Sequence, residues 1–234
     1  MAGLLAMPHP AAAVEDRRCW AGEDILLGPS ALPRTLAALR HQRTLTVVAI
    51  GSSSTQGYGA SQPNHSYPAQ LAARLKLRFP RSIIRVSNKG VGGDDIDTMI
   101  ARFPKDVFAE KPDLVIWQTG TNDAINHVPI AHFAALLARG LRDLKNRGID
   151  VILMTPQYAP QFTDVADHAS YLEAMRKAGV TVFDRFASSK AWFTDRHFAD
   201  SPVLTRDGLH QTDSGYHCVA ILLADRLAAL ASAP

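Results

Sequence analysis

The sequence has no run of lysine and arginine, no interleaving of basic and aromatic residues and no zinc-finger spacing of cysteine and histidine. Its net charge of +3 arises from 25 bases scattered among 22 acids, so nothing focuses the charge into a nucleic-acid footprint. Long apolar runs are also missing. The longest, starting at Cys218, is cut by Asp225 and Arg226 and is far too short to span a bilayer. There is no internal repeat, low-complexity tract or linker, which leaves one domain, residues 45–234, behind an N-terminal lead-in, residues 1–44. Cysteine is nearly absent. Cys19 and Cys218 lie close to opposite ends of the chain, and the two readings are a pair of buried thiols or a disulfide closing almost the whole chain. A bridge of that span stabilises by about 4–5 kcal/mol in the chain-entropy picture. Met1 to Ala13 is apolar and ends in Ala11-Ala12-Ala13 like the tail of a signal peptide, but it lacks a positive n-region. It is a leader remnant or a frayed end. The disulfide and the leader agree with a periplasmic or secreted location, the cytoplasm being the alternative.

What is present is an ordinary globular balance, 47% apolar and 20% charged, with enough length for a full core. Leu32, Leu36 and Leu39 predict a short lead-in helix, and Leu45 to Ala49 a first buried strand. Leu71, Leu75 and Phe79 mark a helix stopped by Pro80, and Ile83 to Val86 a second strand. Ile96, Met99, Ile100 and Phe103 form another helix face, Leu114 to Trp117 the third strand, and Phe133 to Leu144 a helix closed by Gly148. Val151 to Met154, a helix through Tyr171 and Met175, and Val180 to Phe183 follow. A variable stretch, 187–206, precedes a last helix from about Asp213 to Leu230. Five strands alternating with helices predict right-handed crossovers and a five-stranded parallel sheet in a three-layer α/β/α, flavodoxin-like fold. In such sheets the ligand site lies beyond the carboxyl ends of the strands.

Three unusual turns follow the first three strands directly. Gly51-Ser52-Ser53-Ser54-Thr55-Gln56-Gly57 can present a hydroxyl at the sheet edge, although serine-rich turns also serve as helix caps and phosphate loops. Asn88 to Asp94 is so glycine-rich that its backbone must visit uncommon conformations, and Thr119-Gly120-Thr121-Asn122-Asp123 ends the third strand. Acyl transfer needs a nucleophile, a base, a group that orients the base, and donors for an oxyanion. Ser53 is a candidate for the first, His210 for the base and Asp207, three residues before it, for the orienting group. The Ser53 and Gly93 N–H groups and the Asn122 side-chain amide are candidate donors. Taken singly, Asp207 reads as a turn cap, His210 as a surface histidine and Asn122 as a turn residue.

Together the four blocks resemble the SGNH hydrolases, or GDSL esterase family: Gly51 to Gly57, Asn88 to Gly93, Gly120 to Asp123 and Asp207-Gly208-Leu209-His210, in that order. The resemblance implies that Ser53 is the nucleophile, that Gly93 and Asn122 complete an oxyanion hole with the Ser53 amide, and that Asp207 and His210 finish a triad. It implies a cofactor-free, metal-free serine esterase acting on a small-molecule or carbohydrate ester, with a short-chain acyl group such as O-acetyl preferred and a lipid or thioester as the alternative. One departure is Ser52, where relatives carry an aspartate that helps fix the turn. Tyr58, His65 and Trp192 are candidates to line the acyl or alcohol pocket. The histidines at 65, 127, 132, 168, 197 and 217 have no metal-ligand spacing with one another and read as surface or satisfied side chains. A glycan-binding module without activity is the runner-up from another class. A phosphate-binding reading lacks a Gly-Lys-Ser/Thr run, and a lipase-type elbow would need glycine where Thr55 stands.

Overall fold

The computed structural model describes residues 18–19, 25–29, 31–160, 166–194, 198 and 202–233. Its centre is a six-stranded sheet in the order β1-β6-β5-β4-β2-β3, built from β1 (Leu26–Leu27), β2 (Thr44–Gly51), β3 (Ile83–Gly90), β4 (Leu114–Gln118), β5 (Asp150–Met154) and β6 (Thr181–Phe183). Strands β2 to β6 are parallel, as expected. The sixth corrects the five-strand expectation: β1 runs antiparallel along β6, pairing Leu26 with Phe183 and Leu27 with Val182. Two residues followed at once by Gly28 and Pro29 carry no periodicity that could have announced a strand.

The inner strands are apolar in succession because both faces are covered. Val47 and Ala49 of β2, Leu114 and Ile116 of β4, and Ile152 and Met154 of β5 face one core, which helices α1 (Pro33–Arg40), α3 (Tyr67–Arg78) and α9 (Asp213–Ser232) cover through Leu39, Leu71, Leu75, Val219, Leu223 and Leu227. The alternate residues, Val48, Ile50, Val115, Trp117, Val151 and Leu153, face a second core under α4 (Ile96–Arg102), α6 (Ile130–Asn146) and α7 (Ala166–Arg176). Gly140 lets α6 lie directly on Trp117, since a Cβ there would stand 2.6 Å from the indole. Ile25, Leu32 and Leu39 share the first core, so the described part of the lead-in packs as part of the domain.

The last helix, α9, is long and apolar enough by length and composition to cross a membrane, yet half of its most apolar window is buried within the fold. It packs on α1 and α3 and carries Asp225 and Arg226. Cys218 on α9 is joined to Cys19 by a disulfide across 199 positions of sequence. The expected variable stretch opens within a further helix, α8 (Arg185–Thr194), that the sequence pattern did not announce, because it buries Arg185, Ser188, Ser189 and Trp192 in place of an apolar stripe.

Candidate functional site

The parallel register brings the strand ends level: Gly51 pairs with Gly90 across β2 and β3, and Ile50 with Trp117 across β2 and β4. The three turns predicted to share an edge therefore do so. Gly90 permits the contact, because a Cβ there would lie 2.0 Å from the Gln56 nitrogen. After β2 the chain enters α2 (Ser53–Gln56), with Ser52 as its cap residue. Ser52 and Ser54 are buried, and only Ser53 of the three faces outward in part.

Ser53 Oγ lies 2.9 Å from Nε2 of His210, a residue 157 positions away in sequence. His210 Nδ1 lies 2.6 Å from Asp207 Oδ2. An ionised carboxylate only accepts, so Nδ1 carries the proton and Nε2 is left to accept from the serine hydroxyl. The second oxygen, Asp207 Oδ1, accepts from the Thr205 hydroxyl at 2.6 Å and from the N–H groups of Leu209 and His210, both at 2.9 Å. Gly208, with φ +68°, closes this turn, and the Thr205 N–H to His210 carbonyl bond of 2.8 Å holds its base. Burial pushes the Asp207 carboxyl up, but the hydrogen bonds from Thr205, His210 and Leu209 outweigh it and hold the group well below the usual carboxylate range.

The Ser52 departure has a visible counterpart. Gln118, the buried last residue of β4, accepts at Oε1 from the Ser52 N–H (2.9 Å), the Ser52 hydroxyl (3.1 Å) and the Thr55 hydroxyl (3.1 Å). Three donors on one carboxamide oxygen pin the turn that carries Ser53. Gln118 was not singled out in the sequence; the clue was a polar residue extending an otherwise apolar strand.

The candidate oxyanion donors come from separate loops. Ser53 opens α2, so its N–H has no acceptor within its own helix. Gly93 has φ +85°, and a Cβ built on it would touch nothing, so the glycine serves its backbone conformation. The Asn122 amide, on the short helix α5 (Thr121–Ile125), donates to the Asp94 carbonyl at 2.7 Å, which orients Nδ2 and leaves its second hydrogen. Below it, buried Asp123 accepts from the Ile96 N–H (2.9 Å) and the Gly120 N–H (2.9 Å), joining the start of α4 to the turn after β4. Burial raises the Asp123 pKa, against the pull of those two N–H groups. The three aspartates at 94, 95 and 97 bind Arg102, cap α4 and meet His132, respectively, as helix-start acids commonly do.

Of the pocket candidates, Tyr58 stands beside the site, its ring centroid 4.4 Å from that of His210 and 60% of its surface exposed. His65 does not join Ser53: its Nδ1 meets Asp213 Oδ2 at 2.8 Å and Ser61 Oγ at 2.9 Å. Trp192 is a correction, since it is 1% exposed, packs in the core and donates from Nε1 to the Cys19 carbonyl at 3.0 Å. An indole with its N–H satisfied inside has no face left for a ligand. His168 is buried, with its pKa lowered by desolvation, and His217 meets Gln70 and Arg74. His197 falls outside the described residues.

The arrangement defines an α/β scaffold with a serine, a histidine and an aspartate aligned at the carboxyl edge of its sheet. Residues 18–233 match the non-GDSL lipase-like family, and the chain belongs to that family. An acetylxylan esterase from Geobacillus stearothermophilus is 33% identical over 102 residues, covering 39% of this chain and 47% of the relative, so the matched region spans about half of that relative's length. Among solved structures, a two-domain esterase active on acetylated mannans superposes with a TM-score of 0.72 at 20% identity, covering 88% of this chain and 55% of the other. The α/β hydrolase LAE5 from the Lake Arreo metagenome gives a TM-score of 0.68 at 24% identity, covering 81% of this chain and 98% of the other.

Proposed function

We propose that this chain is a serine esterase that cleaves short acyl esters through an acyl-enzyme, with an O-acetylated carbohydrate as its substrate. The observation that carries the reading is the unbroken hydrogen-bonded line from Ser53 Oγ through His210 to Asp207. In this mechanism Ser53 Oγ attacks the ester carbonyl as His210 Nε2 takes its proton, and Asp207 stabilises the imidazolium. The oxyanion is met by the Ser53 and Gly93 N–H groups and by the remaining Nδ2 hydrogen of Asn122. His210 then returns the proton to the departing alcohol. Water, deprotonated by the same imidazole, attacks the acyl-serine, and His210 returns that proton to Ser53 Oγ as the acyl–oxygen bond breaks and the acid leaves.

Support for an acetylated sugar comes from the names of two relatives, the acetylxylan esterase and the esterase active on acetylated mannans. An exposed tyrosine beside His210 also suits a sugar face better than an alkyl chain. The disulfide supports an oxidising compartment, periplasmic or secreted. The test is acetate release from acetylated xylo- and manno-oligosaccharides, beside p-nitrophenyl esters of two to eight acyl carbons. Acetyl esters should turn over fastest. Turnover that rises with chain length would point to a lipid substrate, and no turnover of any ester to a binding module.

Two variants probe the roles. Asn122→Ala should lower kcat by about 10²–10³-fold with a smaller change in KM, because the donor acts on charge that develops only in the transition state. Asp207→Asn should lower kcat by about 10⁴-fold, since the amide offers a donor or a weaker acceptor to Nδ1 and disturbs the tautomer. Asp207 has a depressed folded pKa, so its pairing with His210 is fully present above the ordinary carboxylate value near pH ~4 and is lost only as pH falls below it. A decline in kcat/KM on acidification above pH ~4 therefore does not come from loss of the Asp207 pairing.

A further inference from the structure

Arg185, the first residue of α8, is completely buried and has no carboxylate among its hydrogen-bond partners. Its neighbour Asp184 is taken by Arg176 at 2.7 Å. The guanidinium instead donates from Nε to the Thr155 carbonyl at 2.9 Å and from Nη2 to Gln157 Oε1 at 2.7 Å, while Nη1 has no partner among the described residues. Desolvation draws its pKa down to about 10, against the opposing influence of Tyr67 and Tyr216, so it stays charged at neutral pH. A buried cation with neutral partners costs stability compared with an apolar side chain of the same size. Stability therefore does not account for it.

Its consequence lies in Gln157, which is 1% exposed. A guanidinium has only donors, so Gln157 must turn Oε1 towards it and its NH₂ group the other way. That group donates from Nε2 to the Leu209 carbonyl at 2.8 Å, immediately before His210. Oε1 also accepts from the Thr121 hydroxyl at 3.4 Å, immediately before Asn122. One buried carboxamide, oriented by one buried cation, thus links the turn that carries the base to the turn that carries the oxyanion donor.

We propose that Arg185 and Gln157 are positioning residues that hold the Asp207–His210 turn in register with the Asn122 turn beneath the reaction centre. The inference rests on the esterase reading, and its test separates the two. Gln157→Glu is the diagnostic variant: a carboxylate still accepts from Arg185, now as an ion pair, but has no hydrogen for the Leu209 carbonyl. The melting midpoint should stay level or rise, while kcat and the rate of Ser53 labelling by a fluorophosphonate fall by about 10–100-fold, the effect of a small misplacement of the base. Arg185→Met should do the same, with its midpoint unchanged or raised, because the carboxamide loses its orientation.

Gln157→Met, which cannot make either bond, covers the case in which glutamate at 157 prevents folding. Its midpoint should drop, and its folded fraction should still label slowly. Wild-type labelling rates in folded Gln157→Glu or Gln157→Met and in Arg185→Met would overturn this inference alone and leave the esterase reading intact. Wild-type protein that the fluorophosphonate never labels would overturn both.

Discussion

Ser53→Ala should lower kcat on p-nitrophenyl acetate by about 10⁴–10⁶-fold, the largest effect expected of any single substitution in this chain. The loss is that large because, among the described residues, Ser53 is the hydroxyl bonded to His210, and the proposed acyl-enzyme forms on it. With the hydroxyl gone, His210 and the oxyanion donors can at best assist direct attack by water. The neighbouring serines supply the control. Ser52→Ala removes one hydroxyl from the three donors on Gln118 and should cost about 1 kcal/mol of stability with a modest change in rate. Ser54 is buried, and Ser54→Ala should behave as a packing change. Comparable losses of kcat in all three would mean that the turn, and not one hydroxyl, is what matters.

The second large effect belongs to the disulfide. Cys19 and Cys218 close a loop of 199 positions, and removing that constraint should cost about 5 kcal/mol in the chain-entropy model, shifting the midpoint of a chain this size by about 10–20 °C. Both cysteines are buried, and Trp192 hydrogen-bonds the Cys19 carbonyl, so the released segment also loses packing. Replacing both cysteines by serine and recording thermal unfolding with calorimetry checks this. At 20 °C the rate on p-nitrophenyl acetate should change less than the midpoint implies, because the bridge anchors the N-terminal segment to α9 and touches none of Ser53, Asp207 or His210. A double variant that melts with the wild type would show that the released ends stay docked without the bond.

The sheet and the site blocks were readable because each leaves a local mark. Apolar runs of strand length stop at glycine and hydroxyl residues, and helices between them repeat Leu and Phe at helical steps. Ser53, Asp207 and His210 were found through the order of four short blocks, and the structure puts their side chains within hydrogen-bonding distance. What escaped depended on tertiary contact. Strand β1 exists only because β6 offers it an edge. Trp192 was placed in a pocket for its closeness in sequence to the last motif, whereas α8 turns it inward. His65 follows the serine turn closely, but the intervening loop delivers it to Asp213. Gln118, Gln157 and Arg185 carry no motif at all; their significance is the direction in which a carboxamide points, which is settled by neighbours 28 to 66 positions away.

The most direct measurement is intact-mass analysis and peptide mapping after incubation with a fluorophosphonate. One adduct per chain is expected, on Ser53, absent from Ser53→Ala and much slower to form in His210→Ala. Protein that hydrolyses p-nitrophenyl acetate while Ser53 stays unmodified, or an adduct that forms equally fast without His210, would contradict the account.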